Sequence, residues 1–221
     1  MSNPTVVVVG AGPGVSGSVA RRYAREGWDV GLIGLDPDML KQLGAELQES
    51  GTDVGWADAD ITDPEALSAA VTRLAEHTGR VDVLHFNPSA YRPKSALELT
   101  VDELLEDVGL GVGALLTALQ AARPFMSAGA RVTATGSEAA DKPNSDVCSL
   151  GVQKAGLRNL VRSIDKKLRG EGIRAVSVTI NGVLAPKDPD SPFHPEHVAA
   201  AIYDAAHQTE DEWRDEVPYD G

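Results

Sequence analysis

Apolar positions along this chain fall into short β-branched runs that alternate with longer stretches of helical periodicity. The run T-V-V-V-V at Thr5–Val9 has no polar break after its threonine and stops at Gly10, which predicts a strand covered on both faces. Val15–Arg25 follows with helical spacing and is closed by Gly27. Further strands are expected at Asp29–Ile33, Thr52–Ala57, Val81–Phe86, Ala130–Thr135 and Ile173–Ile180, with a short last one at Glu216–Pro218. The intervening helices are expected at Asp36–Ser50, from Asp63-Pro64 through His77, and at Thr100–Met126, Ser149–Arg169 and Pro195–Gln208. Pro37 suits a first helical turn, and T-V-D-E at Thr100 resembles a capping box. Gly109, Gly111 and Gly113 interrupt the longest helix, where glycine is unfavourable, and predict a kink or a close packing contact.

Strands alternating with helices predict one α/β domain over residues 1–221. The expected architecture is a single-domain Rossmann-type, doubly wound parallel sheet of about seven strands with helices on both faces. Ligands in such sheets bind outside the carboxyl ends of the strands. The informative loops are therefore those that begin at Gly10, Gly34, Asp58, Asn87, Gly136 and Asn181.

Composition narrows the partners. The net charge of −13 repels phosphate backbones and anionic lipid, so nucleic-acid and membrane partners are not expected. No apolar run in the sequence approaches the ~20 residues of a membrane span. Cys148 is the single cysteine, which excludes an intrachain disulfide and fits a reducing, cytoplasmic setting. The Val-rich start does not read as a signal peptide. His194 and His197 in H-P-E-H have no third ligand in view, so no metal site is expected.

The first strand leads into G-A-G-P-G-V-S-G, residues 10 to 17. Glycines between a strand and a helix let a pyrophosphate approach the backbone at the helix N-terminus. Gly12, Gly14 and Gly17 match G-x-G-x-x-G, two residues late relative to the strand. A second register, G-x-x-x-G-x-G, starts at Gly10 and finds Ser16 where its last glycine belongs. The second strand runs into Gly34, Leu35 and Asp36. Asp36 either accepts from the ribose hydroxyls of an adenosine or caps the helix before Pro37. No arginine stands there to bind a 2′-phosphate.

Taken together, these loops resemble those of the short-chain dehydrogenase/reductase family over nearly the whole chain. G-A-G-P-G is similar to the family's opening turn, with Gly10, Gly12 and Gly14 in place. Asp60-Ile61 matches the acid after the third strand that meets adenine, and F-N-P-S retains Asn87 of the N-A-G loop. Ser137 falls at the active-site serine, Lys154 at the lysine of Y-x-x-x-K, and Asn181-Gly182 resembles the Pro-Gly loop. The segment after Gly182 resembles a subgroup with a shortened substrate loop. The resemblance implies NAD or NADP as cofactor, a small carbonyl or alcohol substrate, and a homo-oligomer, dimer or tetramer, paired through the two long helices. It also implies roles. The family's tyrosine moves a proton, the lysine lowers the tyrosine's pKa and holds the nicotinamide ribose, the serine orients the carbonyl, and a helical asparagine completes a water relay.

Three diagnostic positions differ. Leu150 occupies the tyrosine position, thirteen residues after Ser137; Leu110, three before Gly113, is assigned the asparagine position; and Ser16 replaces the third loop glycine. A leucine relays no proton, and loss of general acid–base help costs typically ~10²–10⁴ in rate. Tyr91, four residues after Asn87, is the candidate substitute phenol, with surface packing on the core as its other reading. The expectation is an NAD(P)-binding oxidoreductase with an atypical site carried by Ser137, Lys154 and Tyr91. The alternatives are a non-redox enzyme on the same scaffold (isomerase, dehydratase or cyclase) and a catalytically silent nucleotide- or partner-binding protein.

Overall fold

The structure is a computed structural model that describes residues 3–221. Its centre is a seven-stranded sheet in the order β3-β2-β1-β4-β5-β6-β7, parallel throughout. The strands are β1 (Thr5–Val9), β2 (Asp29–Gly34), β3 (Val54–Asp58), β4 (Val83–Phe86), β5 (Arg131–Ser137), β6 (Arg174–Ile180) and β7 (Glu216–Tyr219). β1, β2 and β4 are buried at every position, as their predominantly apolar runs require, with Thr5, Asp29 and His85 as the buried polar residues among them. The chain builds the sheet in one direction through β1, β2 and β3, then returns to the far side of β1 with β4. The crevice between β1 and β4 is therefore the topological switch point where such sheets bind ligands.

Two apolar layers flank the sheet. One packs α3 (Pro64–Thr78), α5 (Ala114–Ala122) and α6 (Cys148–Leu168) on Val7, Val9, Leu84 and Phe86. The other packs α1 (Val15–Arg25), α2 (Pro37–Glu49) and α7 (Pro195–Ala206) on Val6, Val8, Val176 and Val178. The alternation of residues along β1 between the two layers follows from the two-residue period of a strand.

Several boundaries differ from expectation. β3 starts two residues later than the pattern predicts, and β5 runs on to Ser137, which places that serine on the sheet's carboxyl edge. The long helix is in pieces. It opens as α4 (Val101–Val108) under a full capping box, with Thr100 Oγ1 accepting from Glu103 N–H and Glu103 Oε2 accepting from Thr100 N–H. Gly109–Gly113 then forms a π-helical turn, and α5 follows, ending in a 3₁₀ turn at Arg123–Phe125. The glycines thus mark a π-bulge, a feature that recurs at functional sites. The helical stretch Val101–Phe125 is long and apolar enough to cross a bilayer by length and composition alone, which corrects the expectation from the sequence. Leu115, Ala118, Leu119 and Ala122 turn inward to the core, which accounts for much of that composition.

Candidate functional site

The glycine loop leaves β1 with Gly10 at φ +79°, in the left-handed region that favours glycine. A Cβ on Gly10 would also meet Pro88 Cγ at 2.7 Å. Gly17 is equally constrained, because a Cβ there would lie 2.5 Å from the carbonyl oxygen of Gly12. The loop and α1 therefore approach as closely as glycine permits. Ser16 turns its hydroxyl back on the loop, where Oγ accepts from Gly12 N–H at 2.9 Å. The substituted position thus closes the turn and withdraws one backbone donor from it.

α1 follows Gly14, which provides no side-chain cap, whereas α2 and α3 are capped by Asp36 and Asp63. Its first N–H groups are left for a ligand, at the positive end of the helix dipole. Space is open where a Cβ on Gly14 would stand. A bare helix N-terminus behind a glycine cradle is the donor set that suits a pyrophosphate. The fit to a dinucleotide rests on that observation.

Asp36 serves as a helix cap: one of its oxygens accepts from Asp38 N–H and Met39 N–H at 3.1 and 3.0 Å. Gly34 before it admits no side chain, since a Cβ would meet Ala11 O at 2.7 Å. Leu35 between them is 68% exposed. Asp60 accepts from Thr62 N–H and Oγ1–H, which hold its carboxyl below the usual range. Ile61 is buried in the α3-side core.

The cleft at the switch point has a volume of about 520 Å³ and brings Gly10, Gly14, Asn87, Ser137, Lys154 and Gly182 together. Asn87 Oδ1 accepts from Thr135 Oγ1 at 2.8 Å while its N–H donates to Val9 O, so it ties β4 to both neighbouring strands. Ser137 Oγ accepts from Ala139 N–H at 3.2 Å, which leaves its own proton free to be donated. A side chain at Gly182 would run into the Phe193 ring. Lys154 is 5% exposed and donates from Nζ to Thr135 O at 2.8 Å. Burial pushes its ammonium down to about 8. Beneath the cleft, His85 is fully buried with Nδ1 2.9 Å from Thr133 Oγ1. Burial, then the charge of Lys154, push it down to about 3, so it is neutral.

Leu150 lines the same cleft, one turn before Lys154. Tyr91 is 74% exposed and is not part of the cleft lining, so the cleft gains no phenol from it. Leu110 packs against the α3-side core. In the π turn, Gly111 and Val112 face the Lys154 helix, Gly111 against Gln153 and Val112 against Gly156. Sequence reasoning passed over Gln153, next to Lys154; it is fully buried and packs on Gly111. Its signal was a long amide beside a lysine, matched by a glycine on a distant helix. Among the described residues no group of three His, Cys, Asp or Glu side chains is arranged to hold a metal.

A parallel sheet with a glycine cradle, an uncapped helix and a serine and lysine at its switch point defines a dinucleotide-binding α/β protein. Residues 4–190 match the family described as short chain dehydrogenase, and the chain belongs to that family of NAD(P)-binding oxidoreductases. It is 31% identical over 177 residues to the cis-4-hydroxycyclohexanecarboxylate dehydrogenase of Sinomonas cyclohexanicum, covering 78% of this chain and 70% of that one. It is 26% identical over 192 residues to the oxidoreductase UcpA of Escherichia coli (strain K12), covering 84% and 72%. The fold also superposes on a short chain dehydrogenase from Burkholderia cenocepacia J2315, solved in complex with NADP. That pair has a TM-score of 0.90 and 24% identity, with 99% of this chain and 96% of the other covered.

Proposed function

We propose that this protein binds NAD(H) in the switch-point cleft and oxidises or reduces a small alcohol or carbonyl substrate without a tyrosine. The observation that carries the reading is the convergence of the uncapped α1 N-terminus, Ser137 and Lys154 on one cleft. When bound, the dinucleotide supplies the hydride chemistry. The chain's own contribution is binding, orientation and charge. The α1 N–H groups take the pyrophosphate. Lys154 donates to a ribose hydroxyl with the ammonium protons not given to Thr135 O. Ser137 would donate a hydrogen bond to the substrate oxygen and so orient it. Leu150 offers that oxygen an apolar wall, so the proton leaves or arrives by solvent and turnover is slow.

The preference for NAD(H) follows from charge. Asp36, Asp38, Asp58 and Asp60 cluster at the ends of β2 and β3, and no Lys or Arg lies between Gly34 and Asp38. A 2′-phosphate would enter a field of its own sign. The substrate is small and largely apolar, because Pro88, Leu150, Ile180 and Leu184 line the cleft, with Ser89 and Thr135 as further polar groups. The exposed apolar residues Val101, Leu105, Leu116 and Val152, on α4, α5 and α6, support a homo-oligomer closed through these helices. The reading puts the protein in the cytoplasm, with the dinucleotide pool.

The test is a titration of the pure protein with NADH and NADPH, followed by nicotinamide fluorescence and by calorimetry. Saturable binding of NADH, then slow oxidation of it by members of a carbonyl panel, is the expected result. Absence of binding at millimolar concentrations of either dinucleotide would overturn the reading.

A further inference from the structure

Gln153 is fully buried and directly precedes Lys154 on α6. Its Oε1 accepts from Ala90 N–H at 3.0 Å, and its Nε2 donates to Ala90 O at 3.2 Å. One carboxamide thereby satisfies both backbone groups of one residue in the loop after β4, as a neighbouring strand would. This loop has no regular structure from Asn87 to Lys94, so its backbone groups need such partners. Two residues before Ala90 lies Pro88, whose ring fills the space against Gly10. Pro88 and Ser89 line the cleft. On the loop's far side Arg92 is held separately by Asp107 of α4, with Nη2 2.9 Å from Oδ1.

The room for Gln153 comes from the π turn. A Cβ on Gly111 would lie 3.0 Å from Gln153 Cγ and 3.1 Å from its Cβ. Glycine at 111 and glutamine at 153 therefore form a matched pair across two helices. A carboxamide does not titrate near neutral pH, and each of its polar atoms is already engaged with Ala90, so Gln153 is not a proton carrier. Its part is geometric.

We infer that Gln153 is a positioning residue that clamps the Pro88–Ala90 wall of the cleft against the glycine loop and so sets the affinity for the dinucleotide. The second half rests on the dinucleotide reading given above; the clamp itself does not. The chain of contact runs from Gln153 to Ala90, from there along the backbone to Pro88, and from Pro88 to Gly10, where the pyrophosphate is received.

The test compares the wild-type protein with Gln153→Met, which keeps the length of the side chain and removes both hydrogen bonds. The double variant Gly111→Ala/Gln153→Ala is the second probe; it redistributes the volume without restoring the bonds and covers failure of the first to fold. Amide hydrogen exchange of residues 88–91 is measured without ligand, and NADH affinity by calorimetry. With melting temperature little changed, exchange at Ala90 is expected to speed by roughly tenfold and the Kd for NADH to rise by about tenfold, the net worth of one to two hydrogen bonds. Unchanged exchange at Ala90 in both variants would overturn the clamp. Faster exchange with unchanged NADH affinity would overturn its role in binding. If the wild-type protein takes up neither NADH nor NADPH, the dinucleotide reading has failed instead, and exchange alone decides the clamp.

Discussion

Leu150 and Lys154 stand one turn apart on α6 and face the same cleft, so a buried cation is paired with a hydrocarbon where a hydroxyl would complete a proton path. The lysine donates to Thr135 O, which receives its ammonium even though burial disfavours the charge. Substituting Leu150→Tyr places a phenol beside that ammonium, which favours the phenolate. The expected outcome is a gain of roughly 10²-fold or more in carbonyl reduction, read as loss of NADH absorbance. A variant that binds NADH but turns over no faster would show that the proton path lacks more than one group.

The same lysine predicts a pH dependence. Burial alone pushes its ammonium down to about 8, so it is charged below that pH and neutral above it. NADH affinity should therefore be flat below about pH 8 and fall above it, by calorimetry. Lys154→Met should bind weakly and without that inflection. The stability effect has the opposite sense. The folded state carries the cost of a buried charge below about pH 8, and this cost is relieved as pH rises toward the ordinary lysine value of 10.5.

His85 sets an acid limit. It is buried neutral, with its pKa pushed to about 3 from 6.5. Above pH 6.5 both folded and unfolded chains carry it neutral, and it has no effect. As pH falls from 6.5 toward 3 the unfolded chain takes up a proton that the folded chain refuses, so stability is lost across that window. The loss should reach about 4 kcal/mol by pH 3, from roughly three pKa units at 1.4 kcal/mol each. Urea unfolding of the wild type and of His85→Asn between pH 7 and 3.5 is the measurement, with a shallower slope expected for the variant.

Cofactor choice is testable at Leu35, which is exposed just after the carboxyl end of β2, beside Asp36. The wild type should bind NADH at least tenfold more tightly than NADPH. Leu35→Arg introduces a guanidinium where a 2′-phosphate would lie and should narrow or reverse that ratio. Equal affinities in the wild type would remove the charge argument.

Leu116 is 45% exposed on α5, beside a mostly apolar groove between α5 and α6. Leu116→Asp should lower the mass found by sedimentation to that of one chain if these helices close the oligomer. An unchanged mass would place the contact elsewhere.

The sheet was legible because β1, β2 and β4 are buried on both faces and their runs are mostly apolar, broken only by Thr5, Asp29 and His85. The ends were less so. β5 was expected to stop at Thr135, because Gly136 and Ser137 at the strand's working end look like the start of a loop, yet they continue the strand into the cleft. The cleft's Gly10 and Asn87 were legible as the first residues after β1 and β4, while Ser137 and Lys154 came from the family resemblance. The pairing of Gly111 with Gln153 was not legible. It spans two helices distant in sequence, and only the packing shows that one residue makes room for the other. Tyr91 carried suitable chemistry, but which way a loop side chain points is decided by anchors such as Gln153 and Arg92 on either side of it.

The π turn at Gly109–Gly113 also fixes the phase of everything after it. One residue more than an α-helical turn needs has been absorbed there, and the inward stripe of α5 is aligned with the sheet only because of that extra step. Deleting a single glycine from the turn would rotate the following helix by about 100° about its axis. Leu115, Ala118 and Ala122 would swing off the core, and the gap that admits Gln153 would close. The chain can therefore change length in its surface loops far more readily than in this five-residue segment, whose residue count acts as a gear tooth between the hydrophobic layer and the cleft.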